Sequence, residues 1–229
     1  VSGGYFRNFL NNIYERSVEF YFKNMQNQID FLNGVLDNFD NTKIEQNIVI
    51  GKGQAFGAEF YIKKRVGQAT GSISYTLSRT YKKFDKINNG KPFPAKYDRI
   101  HDLAITLNYE LSKRWNLSAV FIYATGNAMT LPTGRYVIQG NVANDYTAVN
   151  SFRMPAYHRL DLAANYQLKK RRNWESWLVF SVYNVYNRSN PYFIYFQVKG
   201  DIDHYYLSVK PKQISLFPIL PSVTWNFKF

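Results

Sequence analysis

No cysteine occurs anywhere in the chain, so neither a disulfide framework nor a thiolate metal site is available to it. Histidine is almost as scarce, and His101, His158 and His204 lack metal-ligand spacing, so no metal or other cofactor is expected. No run approaches the ~20 apolar residues of a membrane-spanning helix. The sequence does not open on a charged segment, an apolar core and a cleavage site, so any export signal is expected outside it. Acidic residues number only 16 against 29 Lys and Arg, a formal net charge of +13. Such a balance admits a nucleic-acid partner, but the cations gather beside expected turns, as in Lys169-Lys170-Arg171-Arg172, rather than along one stripe. A nucleic-acid-binding β module places rings and cations on one face; here the strand rings share a face with Leu, Ile and Val, so no nucleic-acid partner is expected. Carboxylates such as Asp98 and Asp102 have no placed nucleophile or base beside them, and the chain does not read as an enzyme.

What is abundant is aromatic. Rings make up 18% of the residues (Tyr 19, Phe 18, Trp 4), yet mean hydropathy is −0.38. Alternation between a lipid face and a watery lumen produces that combination. The alternation is legible: Ile73, Tyr75 and Leu77 are interleaved with Ser72, Ser74, Thr76 and Ser78, and Leu160, Leu162, Ala164, Tyr166 and Leu168 with Arg159, Asp161, Asn165 and Gln167. It continues to the last residue, where Val223, Trp225, Phe227 and Phe229 form one apolar face.

The pattern predicts an all-β, antiparallel transmembrane barrel wall with strands near 5–10, 14–25, 53–66, 70–84, 99–111, 115–125, 157–169, 174–186 and 219–229. Short turns, one of them Gly67 to Gly71, alternate with long connections near 26–50, 85–97, 126–156 and 187–218, the layout of an outer-membrane barrel with short periplasmic turns and long extracellular loops. Phe60, Ile73, Leu77, Ile105, Leu107, Leu160 and Leu162 are expected outward, and Ser74, Thr76, Thr106, Asn108, Asp161 and Asn165 inward. Nine strands are an odd number, and single-chain bacterial barrels have even ones. The 229 residues are therefore expected to be one part, the C-terminal one, of a longer barrel, whose remaining strands pair with both open edges.

Six strings occur in a telling order: Gly51 to Glu59 (GKGQAFGAE), Ser74 to Thr80 (SYTLSRT), Tyr97 to Asp102 (YDRIHD), Tyr123 to Ala128 (YATGNA), Arg153 to Leu162 (RMPAYHRLDL) and Tyr183 to Arg188 (YNVYNR). Together with the final Phe they resemble the end of the barrel of TonB-dependent outer-membrane receptors, most closely those with an N-terminal carboxypeptidase-regulatory-like domain. The resemblance implies the last nine strands of a 22-stranded barrel, closed by a plug that lies outside this sequence. It further implies active import of a nutrient too large or scarce for porins, energised by TonB through that plug. A barrel serving as a structural or interaction subunit without transport is the alternative, since it would use the same wall.

The site expectations follow from these faces and loops. Asp98, Arg99, Asp102, Glu110, Arg159 and Asp161 are expected to line the lumen, paired with one another or with the plug, since Arg or Lys facing lipid at mid-depth costs ~2–4 kcal/mol. Arg135, Tyr136, Tyr146 and Phe152 in one long loop, and Tyr192 and Tyr195 in another, are the candidate ligand contacts. Val223, Trp225, Phe227 and Phe229 resemble the signal read by the barrel-assembly machinery. Expected partners are outer-membrane lipid, the rest of the barrel and its plug, TonB, and that machinery.

Overall fold

The computed structural model describes residues 1–32, 47–132, 134–138, 141–146, 148–171, 174–201 and 206–229. Sixteen strands occur there: β1 (Ser2–Phe9), β2 (Tyr14–Phe31), β3 (Ile48–Lys64), β4 (Ala69–Lys83), β5 (Phe93–Pro94), β6 (His101–Glu110), β7 (Trp115–Ala124), β8 (Ala128–Met129), β9 (Gly134–Ile138), β10 (Asn141–Asp145), β11 (Phe152–Arg153), β12 (Tyr157–Arg171), β13 (Trp174–Tyr183), β14 (Pro191–Asp201), β15 (Tyr206–Ser215) and β16 (Leu220–Lys228). A short 3-10 turn lies at Asn88–Gly90.

Nine of these strands form one antiparallel sheet in the order β1-β2-β3-β4-β6-β7-β12-β13-β16, with β5 added beside β4. They are the nine strands expected, each hydrogen-bonded to its neighbour in chain order, and all the short turns fall on one rim. Several limits differ. β2 runs on to Phe31 through a bulge between Met25 and Gln28, with Asn27 at φ 52°, because a strand that has risen out of the apolar band keeps its ladder with polar residues. Thr70 and Gly71 belong to β4 rather than to the turn, which shrinks to 65–68. The strand expected over 174–186 stops at Tyr183, where Asn184 turns to φ 54°. Asp98 lies outside β6, which begins only at His101. The long connections 126–156 and 187–218 carry strands of their own, β8 to β11 and the hairpin β14–β15. The Lys169 to Arg172 turn and the 26–50 connection lie partly outside the described residues.

Register assigns the faces. One row across the sheet reads Val18, Phe60, Tyr75, Leu103, Tyr123 and His158, and another Ile62, Ile73, Ile105, Phe121 and Leu160. On the opposite face Tyr61, Ser74, Ala104, Ile122 and Arg159 form a row, and Ser72, Thr106, Val120 and Asp161 another. All thirteen residues expected on the two faces keep company with their own set. A row lying at the last residue of β3, Lys64, meets Leu107 three residues before the end of β6 and Leu162 nine before the end of β12. Successive short turns thus step down across the sheet, the slant that tilted barrel strands need.

Rings bracket the apolar face. Trp115 packs tilted against Tyr166, centroids 4.7 Å apart, near the short turns, and Tyr123 stacks on His158 at 6.4 Å toward the long loops. Eight residues separate Trp115 from Tyr123, ~26 Å along a strand at ~3.3 Å per residue, or ~20 Å of height at a tilt of ~40°, close to the ~25 Å apolar band of an outer-membrane barrel. Between them lie Leu117, Ala119 and Phe121. No described helix is long and apolar enough to cross a membrane.

Candidate functional site

The long-loop end of the sheet is a folded cap. Phe84, Ile87, Phe93 and Val149 bury one another, drawing the 84–100 connection against the 125–156 connection. Asn88 accepts from the Val149 amide at 2.8 Å and donates to its carbonyl at 3.0 Å, and Asn150 donates to the Pro94 carbonyl at 2.9 Å. Gly51, Gly53 and Ala55 lie on the polar face of β3 beneath this cap: a Cβ on Gly51 would meet the Phe84 ring, and Ala55 is buried. These two connections fold over the polar face, and the apolar residues of the other face stay exposed among the described residues.

Asp98 fastens the cap. Its side chain is fully buried and accepts from the Thr80 amide at 2.6 Å and from Arg153 Nη2 at 2.5 Å, with Arg79 at 3.5 Å. Arg153 Nη1 also donates to the carbonyls of Asp98 at 2.7 Å and Gly126 at 2.9 Å. Gly126 passes so close to Met154 that a Cβ would overlap its carbonyl oxygen. Asp98 is therefore a clasp at the edge of β4 rather than a member of a strand stripe: Thr80 pairs with Ala55 of β3 on one side, and on the other, beyond the end of the β4–β6 ladder, its amide takes the carboxylate instead.

A second polar cluster stands lower on the same face. Arg159 bonds Asp161 at 2.9 Å and the hydroxyls of Tyr157 and Tyr183, while its guanidinium lies 4.0 Å from the Tyr183 ring centroid. Asp161 also accepts from the Asn184 amide at 2.9 Å. Asp102 pairs with Arg99 at 3.7 Å, both half exposed. Of the charges expected on this face, these four pair with one another.

The loop candidates are spread over β9, the connection after β10, β11 and β14. Arg135 and Tyr136 sit on β9, and their side chains lie outside the described residues. Tyr146 is half-buried, and Phe152 is exposed on β11. Tyr192 and Tyr195 flank Phe193 at the base of the β14–β15 hairpin, with centroids 5.7 and 6.1 Å apart, and all three are exposed. The sequence singled out Tyr192 and Tyr195 but gave no sign that a separate hairpin carries them.

Two histidines, set aside as non-ligating, prove to be hydrogen-bonded to tyrosines: Tyr75 bonds His101 and Tyr186 bonds His158, each at 2.8 Å. No cluster of three or more His, Cys, Asp or Glu that could hold a metal occurs among the described residues.

No curated protein matches the chain. The family described as TonB dependent receptor-like, beta-barrel matches it over residues 5–187. That span runs from β1 to the start of the last long connection, and therefore includes the cap, the Asp98 clasp and the Arg159 cluster. With its tilted antiparallel wall and ring-bracketed apolar face, the chain belongs to the TonB-dependent receptor β-barrel family, whose members are outer-membrane transporters and receptors that work with TonB, a plug domain and membrane lipid.

Proposed function

We propose that these strands are wall and outer rim of an active importer for a nutrient too large or too scarce for porins. The observation that carries this reading is the one-sided cap: two of the long connections, 84–100 and 125–156, fold over the polar face and are clasped there by Asp98 and Arg153, while the apolar residues of the other face stay exposed among the described residues. The polar face is then the lumen, with Asp102, Arg159 and Asp161 facing the plug. The exposed Tyr192, Phe193 and Tyr195, carried beyond the sheet on their own hairpin, are suited to stack on or pack against a sugar or a peptide. Both edges of the sheet, β1 and β16, end without a further strand among the described residues. An unpaired backbone group in lipid costs several kcal/mol, so further strands of the same barrel, together with a plug, complete the molecule in this reading. Val223, Trp225, Phe227 and Phe229 are its assembly signal, offered by strand addition to the barrel-assembly machinery.

The test is uptake by whole cells of labelled oligosaccharides and oligopeptides too large for porins. We expect loss of uptake of one class on deleting the gene, restoration by the full-length receptor, no restoration without TonB, and weakened uptake when Tyr192, Phe193 and Tyr195 are replaced by Ser. If deletion leaves every uptake intact but disperses a co-purifying outer-membrane complex, the barrel is a structural subunit and the import reading falls.

A further inference from the structure

The apolar face carries an oddity at its upper end. Lys52 of β3 and Lys83 of β4 are direct cross-strand partners. Both belong to the outward set: Lys52 follows Phe60, Ala58, Phe56 and Gln54 at alternate positions, and Lys83 follows Leu77, Arg79 and Tyr81. Like charges directly opposite each other destabilise a sheet. Among the described residues neither lysine has a carboxylate within ion-pair distance; the neighbouring Lys82, on the other face, is the one that holds Asp30, at 3.0 Å. The two lysines flank a cleft of about 320 Å³ that Asn24, Gln26 and Gln54 also line. Those amides supply neutral donors beside two cations, the chemistry of a phosphate site.

Depth on the wall says which phosphate. Lys52 lies twelve residues above Lys64 at the short-turn rim, ~40 Å along the strand at ~3.3 Å per residue and ~30 Å in height at a tilt of ~40°. The apolar band of such a barrel is ~25 Å tall, so the pair stands just above it, at headgroup level on the long-loop side. Phe56 and Tyr81, stacked at 6.4 Å, lie directly beneath. Lower still, the row Phe20, Ala58 and Leu77 dips at Ala58 between two exposed side chains.

We propose that Lys52 and Lys83, with Asn24, Gln26 and Gln54, bind the phosphate of a phosphorylated lipid in the outer leaflet, its acyl chains lying on Phe20, Ala58 and Leu77. The site faces away from the lumen and does not depend on what the receptor imports. A bound phosphate offsets the Lys52–Lys83 repulsion.

The experiment uses the full-length receptor in detergent, with native mass spectrometry reading bound lipid A, an acylated glycolipid carrying two phosphates. We expect the wild type to retain lipid A, the K52Q/K83Q variant to retain at least five-fold less, and K52R/K83R to restore it. Dephosphorylated lipid A should bind the wild type as poorly as lipid A binds the double Gln variant, and inorganic phosphate at millimolar concentration should not displace lipid A. A K113Q/R114Q variant at the short-turn rim controls for general loss of charge, and heat-modifiable electrophoresis confirms that each variant is folded. Equal retention by wild type and K52Q/K83Q overturns the site. Displacement of lipid A by inorganic phosphate alone reassigns it to a soluble anion, and an equal loss in K113Q/R114Q reduces it to non-specific attraction.

Discussion

Arg153 holds Asp98 twice, through its carboxylate at 2.5 Å and its main-chain carbonyl at 2.7 Å, across 55 residues of chain. The carboxylate has no exposed surface, so its two Arg partners and the Thr80 amide supply its stabilisation. Because breaking a buried pair by deleting one partner costs ~3–5 kcal/mol, R153A is expected to loosen the cap without unfolding the wall. Limited proteolysis of the full-length receptor checks this: faster cutting within 84–100 and 125–156 is expected, with the barrel still heat-modifiable. R153K should be intermediate, since a lysine has no fork to reach Asp98 and Gly126 together.

This clasp was the least legible part of the molecule. Alternation in β4, β6 and β12 is local, and a period-two pattern fixes both strand and face from a handful of residues. The bonds of Asn88 to Val149 and of Arg153 to Asp98 join positions 61 and 55 residues apart, and no periodicity encodes such a meeting. The Arg159–Asp161 pair lies between: its i, i+2 spacing put both on one face, but its tyrosine partners come from packing. Gln26 to Gln28 read as loop because the residues are polar, although β2 continues through them above the membrane.

The two faces give opposite responses to charge. Ala119 sits on the apolar face and Ser118 on the polar one, at adjacent positions of β7. A119R is expected to cost ~2–4 kcal/mol, the penalty for Arg facing lipid near mid-depth, and to lower membrane-inserted yield. S118R should insert normally. Denaturant unfolding of both variants in detergent or bilayer distinguishes them, and a reversed order would mean that the faces are exchanged.

Asn184 ends β13 in the left-handed region at φ 54°, and its buried side chain donates to the carbonyls of Arg188 and Phe217 and accepts the Arg188 amide. N184G and N184A both lose those bonds, but a left-handed backbone costs a residue with a Cβ ~1–2 kcal/mol that glycine escapes. N184A is therefore expected to be the less stable of the two by about 1 kcal/mol in thermal or denaturant unfolding. Equal stability would show that the turn relaxes to another conformation once the side chain is gone.

Trp225, Phe227 and Phe229 form a ladder of edge-on rings, with centroids 5.6 and 5.5 Å apart, on the outer side of β16. All three are largely exposed on the sheet, so as membrane-facing residues they bury little against the protein itself. Loss of Phe227 and Phe229 should therefore cost the finished barrel little, since lipid contacts a smaller side chain nearly as well. The assembly role proposed for this stripe makes a different demand: during strand addition the alternate side chains supply specificity while the backbone supplies affinity. For F227A/F229A in the full-length receptor, membrane-inserted yield is expected to fall several-fold while the Tm of the inserted fraction stays within a few degrees. If yield is unchanged, or if yield and Tm fall together, the ladder is interfacial packing and the assembly machinery reads something else.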